Sequence, residues 1–176
     1  YPDINKSRAS YLPLLELSVK EDSTNDRNLH YLGREYMYYG YYEKAINTLN
    51  KHIEIDDAWN LEKCASCRFI SRCLIHLNKI DDAFSYLDKA INFAPNIREP
   101  YIEKAFLYFR LNNYLDCIYN CIKAKSIKNN ELLYINEVFS NDETIDDLLS
   151  ICFYYLGLNK EANFFIDEAL LINPNN

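Results

Sequence analysis

YYGYYEKAINTLNKHIEID (residues 38–56) reads as a tight turn, a charged pair, a small residue, and then apolar residues three and four apart. The pattern returns as HLNKIDDAFSYLDKAINFAP (76–95) and as YLGLNKEANFFIDEALLINP (155–174). Apolar residues at that spacing lie on one face of a helix. Their return along the chain marks a stack of similar supersecondary units. In register, Ala45, Ala83, Cys117 and Ala162 share one small position. Leu49, Leu87, Cys121 and Ile166 follow four residues later, and His52, Ala90, Ala124 and Ala169 three after that. Gly33, Ser71, Ala105 and Ser150 supply a small position in the preceding helix. Small residues at these places let the two helices of a hairpin approach closely. Gly40 and Gly157 mark the turn inside the hairpin, and Pro95 and Pro174 mark its end. Proline lacks the N–H and clashes with the turn before it, so it stops a helix.

These positions resemble the 34-residue tetratricopeptide repeat. The resemblance implies an all-α superhelical solenoid of about four helix pairs, near residues 26–59, 64–97, 98–131 and 143–176. Residues 132–142, LLYINEVFSND, stand as an insertion between the last two pairs. Upstream, SRASYLPLLELSVKE (7–21) reads as an amphipathic helix packing on the first pair, which makes residues 1–25 a junction and a packing helix.

Composition narrows the function. The chain has 176 residues, 49% hydrophobic, with only 3 glycines and 5 prolines, which disfavours turn-rich β architectures. A net charge of −7 argues against a general nucleic-acid binder. No run approaches the ~18 apolar residues of a membrane span. Tyr1–Ser10 is polar, unlike a secretory leader. The tyrosine in first place suggests a fragment. Six cysteines without a leader fit a reducing cytosol, so a cytoplasmic location is expected.

Three of those cysteines form KCASCRFISRCLIH (63–76), a C-x2-C-x5-C-x2-H spacing that on paper resembles a zinc site. On one helix the spacing fails. At about 1.5 Å rise per residue, Cys64 and His76 lie about 18 Å apart, whereas zinc ligands sit about 2.0–2.3 Å from one ion. The thiols therefore read as small core hydrophobes, and no metal ligand is assigned.

In tetratricopeptide stacks the first helices line the concave face. Carried onto this chain, that face holds Arg27, His30, Arg34 and Tyr38, then Arg68, Arg72 and His76. Phe106, Phe109 and Arg110 follow from the third pair, and Tyr154 and Tyr155 from the fourth. Five of the seven arginines fall here, although the chain is acidic. Arginine forks pair two-point with carboxylates and stack on aromatic rings, which suits an acidic peptide or protein partner. Alternatively they pair internally with Glu35, Glu103 or Asp147. Charge reversal at Arg68 and Arg72 is expected to abolish partner binding without lowering the melting temperature. The chaperone-binding carboxylate clamp has Lys and Asn where this chain has His30 and Arg34.

No catalytic constellation emerges. His52 reads as a packed or half-exposed core residue rather than a catalyst, and no phosphate-cradling glycine loop is present. Asp56–Asp57, Asp81–Asp82 and Asp146–Asp147 read as acidic helix starts rather than metal-binding pairs. By itself the chain is expected to be no enzyme and to use no cofactor.

The order of segments has a second resemblance. PDINKSR (2–8), YLPLLELSVKED (11–22) and NDRNLHYLGREYMYYGYYEKAINTLNKHI (25–53) resemble the C-terminal region of bacterial family-2 glycosyltransferases with appended tetratricopeptide repeats. CASCRFISRC (64–73), APNIREPYIEKAFLYF (94–109) and DDLLSICFYYLGLNKEANFFIDEALLINPN (146–175) continue it. The family's insertion carries a Trp where this chain has Val138–Phe139. The resemblance implies a parent enzyme using a nucleotide sugar and a divalent metal, with its catalytic residues before Tyr1. This chain would then be an accessory domain for acceptor recognition, packing on its own catalytic domain, or dimerisation through a second copy. The alternative is a free-standing tetratricopeptide adaptor binding an acidic peptide or protein.

Overall fold

The computed structural model describes residues 4–128 and 134–175, with side chains from residue 11 onward. Among the described residues there are nine α-helices and no strand. They are α1 (Ile4–Glu21), α2 (Asp26–Tyr38), α3 (Tyr42–Ile53), α4 (Asn60–His76), α5 (Ile80–Phe93), α6 (Glu99–Arg110), α7 (Tyr114–Ser126), α8 (Thr144–Tyr155) and α9 (Asn159–Ile172). The chain divides into two compact units, residues 1–94 and 95–176.

The helices pair as α2–α3, α4–α5, α6–α7 and α8–α9, and one device turns the chain inside each pair. Gly40 (φ 76°), Asn78 (φ 59°), Asn112 (φ 57°) and Gly157 (φ 74°) all adopt the left-handed conformation. Around Gly40, its own N–H donates to the Met37 carbonyl at 3.0 Å and the Tyr41 N–H to the Tyr36 carbonyl at 2.8 Å. The same two bonds recur at Asn78–Lys79, Asn112–Asn113 and Gly157–Leu158. This pair of bonds is the Schellman cap, which satisfies the last carbonyls of a helix and needs positive φ. Glycine adopts that φ without strain, and asparagine is the other residue that visits it routinely. The glycine turns are legible in the sequence; the two asparagine turns escape that reading.

In the first unit, α1 packs on α2, and α4 packs on α2, α3 and α5. Enclosure from three sides buries Glu62 through Ser71, ten consecutive residues, so α4 lacks the single apolar stripe of a surface helix. α4 begins at Asn60, a turn ahead of the Cys64 start read from the repeat. Gly33 meets Leu49 where α2 crosses α3: a Cβ at residue 33 would lie 2.4 Å from Leu49 Cγ. α1 covers less than an amphipathic pattern implies, since Leu15 is buried while Leu14 and Leu17 are exposed.

In the second unit, Ile102, Ala105, Cys117, Cys121, Ala124, Leu149 and Cys152 form the core. The Arg98 guanidinium donates to the Ile127 carbonyl at 2.9 and 2.6 Å and to the Ser140 carbonyl at 3.2 Å. Buried Glu99 accepts from Asn136 Nδ2 at 2.7 Å and from the Glu137 N–H at 3.2 Å. The start of α6 thus holds the described part of the insertion, which includes a short 3-10 turn at Val138–Ser140. Leu132 and Leu133 of the insertion lie outside the described residues. Pro95 and Pro174 each follow the second helix of a pair, as helix stops should.

Candidate interaction surface

In the first unit, α2 and α4 carry seven of the residues expected on a binding face, and the structure separates them by depth. Arg27 is exposed, its Nε 3.8 Å from Glu62 Oε1. Arg34 is half-buried: its Cζ lies 5.0 Å from the Tyr31 ring centroid and its Nη2 lies 3.9 Å from Glu35 Oε1. Arg72 is half-buried, with Cζ 5.5 Å from the Phe69 centroid. Tyr38 is exposed. His76 is exposed and stacks on Tyr42, centroids 4.6 Å apart and planes 6° off parallel. The Arg34 and Arg72 guanidinium groups therefore lie over rings, where the π-face attracts a cation.

His30 and Arg68 stand elsewhere than the sequence reading puts them. Both are 1% exposed, so neither presents a surface to a partner. Arg68 lies in the part of α4 enclosed by α2, α3 and α5, and His30 meets Ser66 where α2 packs on α4. Charge reversal at Arg68 is therefore a core substitution and cannot spare stability.

His30 belongs to a buried polar chain that sequence reasoning misses. Ser66 Oγ lies 2.8 Å from His30 Nδ1 and 2.9 Å from His52 Nδ1. Burial, above all, holds His30 down to about 3 and His52 down to about 4, so both rings are neutral at pH 7. His52 sits where the other repeats have alanine, and that departure is the one sequence signal of the chain.

The second unit presents aromatic rings. Tyr154 and Tyr155 are exposed, and Tyr155 stacks on Tyr114 at 4.9 Å and 7°. Together with Ile151, Asn159, Ala162 and Ile166 they line a cleft of ≈ 460 Å³ between α8 and α9. Phe106 and Phe109 are half-buried against the core, Phe106 edge-on to Phe139 at 5.6 Å. Arg110 is exposed at the end of α6. Phe106 is thus spent on packing the insertion.

All six cysteines are buried thiols outside any disulfide. Cys64, Cys67, Cys73 and His76 ride one unbroken helix, with His76 outside and the thiols inside. Burial pushes the Cys67 and Cys73 thiols up to about 12. Hydrogen bonding with Cys121, reinforced by burial and opposed by the bond with Cys152, pushes Cys117 up to about 12, and the bond to Cys117 raises Cys152. Thiols so protonated are poor nucleophiles. Asp81–Asp82 and Asp146–Asp147 fall in the first turns of α5 and α8, Asp146 paired with Lys125. Asp56–Asp57 instead lie in the turn between α3 and α4, a correction to their reading as a helix start. No described helix is long and apolar enough to cross a membrane.

Four helix hairpins with a shared turn and small buried residues in their helices give the chain a helical-repeat fold of tetratricopeptide type. Solved structures agree on the fold. MamA shares 19% identity over 99% of this chain and 96% of its own, with a TM-score of 0.75. PilF of Pseudomonas aeruginosa shares 14% over 96% of this chain and 72% of its own (TM-score 0.70). YrrB, a TPR protein with an unusual peptide-binding site, shares 13% over 97% and 80% (TM-score 0.67). In sequence, the chain is 28% identical over 135 residues to the DnaJ homolog subfamily C member 7 homolog of Dictyostelium discoideum. That match takes in 74% of this chain and only 23% of the relative's length. The chain matches no protein-family profile.

Proposed function

We propose that this chain is a non-catalytic interaction module whose first-unit helices α2 and α4 bind an acidic segment of a protein partner. One observation carries the reading: Arg34 and Arg72 each lie over a ring, with Tyr38 and His76 exposed on the same two helices and His76 stacked on Tyr42 at the start of α3. Guanidinium groups held by rings lose less freedom when they meet a carboxylate than free chains do. The peptide-binding site in the description of YrrB supports a peptide partner. With His30 buried, the face differs from the chaperone carboxylate clamp.

The test is peptide binding by fluorescence anisotropy. Acidic peptides should bind, and Arg34→Glu with Arg72→Glu should weaken them at least tenfold while the melting temperature stays within a few degrees. Equal binding by wild type and double variant would refute the reading. The module's context is a further proposal. The sequence resemblance supports an accessory domain of a family-2 glycosyltransferase; the comparisons with known proteins support the repeat fold and add nothing for a transferase, so a free-standing adaptor fits them as well. An Asp-x-Asp-bearing nucleotide-sugar domain in the same reading frame would favour the first, and translation starting near Tyr1 the second.

A further inference from the structure

The buried histidine chain ends in an unpartnered nitrogen on His52, a residue that stands beside two carboxylates. His52 is 0% exposed, and its Nε2 has no hydrogen-bond partner. One ligand atom each from Asp26, His52 and Glu62 lie within 4.8 Å of one another. Asp26 is the first residue of α2, His52 lies in the last turn of α3 and Glu62 in the first turn of α4. We propose that Asp26, His52 and Glu62 bind one divalent cation of the zinc class, through an imidazole nitrogen and two carboxylates, tying three helices together.

Three observations converge on it. The first is geometric. A point inside a triangle whose edges reach at most 4.8 Å is no more than about 2.8 Å from each corner, against about 2.0–2.2 Å for zinc bonds to nitrogen and oxygen. Small side-chain rotations close that gap.

The second is the tautomer. Ser66 stands between two Nδ1 atoms, so it donates to one and accepts from the other. When His52 Nδ1–H donates to Ser66 and Ser66 donates to His30, His52 Nε2 is left with a bare lone pair facing carboxylates. No proton donor meets it; a cation would. Metal-binding histidines characteristically donate their other N–H in this way.

The third is access. A cavity of ≈ 490 Å³ is lined by Asn25, Asp26, Arg27, Asn28, Trp59 and Glu62. Arg27, its Nε 3.8 Å from Glu62 Oε1, has a side chain 66% exposed and can swing into solvent. Lys63 also acts electrostatically on His52, and its Nζ donates to the Asp56 carbonyl at 3.2 Å. One nitrogen with two carboxylate oxygens suits zinc or cobalt, whereas magnesium and calcium prefer all-oxygen sets of six or more.

Trp59, the single tryptophan, lines the cavity and reports on it. Chelator-treated chain is titrated with Co²⁺, then with Zn²⁺ or Mg²⁺ as competitor, following Trp59 emission and the visible cobalt bands. One Co²⁺ per chain should quench Trp59 and be displaced by Zn²⁺ but not by equal Mg²⁺. Asp26→Asn and His52→Gln should each weaken binding more than tenfold, and Ser66→Ala about tenfold as an outer-shell change. His76→Asn should leave binding unchanged. Asp26→Asn alters a half-buried helix start, so it keeps the test valid if His52→Gln fails to fold. Absence of saturable one-to-one binding would overturn the proposal. So would quenching that survives Asp26→Asn, loss of binding in His76→Asn, or a thiolate-to-cobalt charge-transfer band.

Discussion

Gly33→Ala measures how tightly α2 and α3 cross. The added methyl would sit 2.4 Å from Leu49 Cγ and 2.5 Å from Cδ2, where unstrained carbons stand about 3.5–4.0 Å apart. Leu49 is 0% exposed, so it has no solvent-side rotamer to retreat into. Its backbone nitrogen, at 3.3 Å from the same point, opposes a slide of the helix. Two effects compete. Replacing a mid-helix glycine by alanine gains about 0.5–1 kcal/mol of backbone entropy, and overpacking a closed core costs about 1–3 kcal/mol. The net expectation is a loss of about 1–2 kcal/mol, read from the urea midpoint at constant m-value. Leu49→Ala in the Gly33→Ala background supplies the control. Removing the obstructing side chain makes the double variant more stable than the sum of the singles, by about 0.5–3 kcal/mol of coupling. A Gly33→Ala protein that gains the full entropy term, with no coupling to residue 49, would refute the close crossing and the repeat register built on it.

Arg68 and Arg72 should part company. Arg68→Glu places an unmatched charge in the enclosed part of α4 and should cost about 3–5 kcal/mol, whereas Arg72→Glu should stay within ~0.5 kcal/mol; equal melting temperatures would contradict the burial of Arg68. In chelator-treated protein, stability should rise from pH 4 to pH 6.5. There the unfolded histidines, near 6.5, bind protons that native His30 and His52 refuse, so the unfolded state holds more protons and the slope is positive. Urea midpoints for His52→Gln should show a shallower slope over that window, and an unchanged slope would count against a neutral buried ring. A thiol reagent should label none of the six cysteines in native protein and all six in denaturant; rapid native labelling would mean the cores open readily.

The two glycine turns are legible because glycine is the residue of least strain at positive φ. Asn78 and Asn112 do the same work, but asparagine is also common on helix surfaces and at caps, so its identity alone announces nothing. Of the seven first-unit residues expected on a binding face, Arg27, Arg34, Tyr38, Arg72 and His76 are at least partly exposed. His30 and Arg68 share that register and are buried. A repeat frame assigns a side of a helix, and it cannot say how many neighbours that side will acquire.

Sequence alone determined the all-helical hairpin repeat, because small residues, turn formers and prolines act locally and recur at a period that the eye can count. Only tertiary structure decided that α4 is enclosed. Only it drew Asp26, His52 and Glu62, together with His30 and Ser66, into one buried cluster. Those residues come from three helices and lie up to 36 positions apart in the hydrogen-bonded pairs. Their meeting depends on interhelical distance and rotation, quantities set by how whole faces pack rather than by any short stretch of chain.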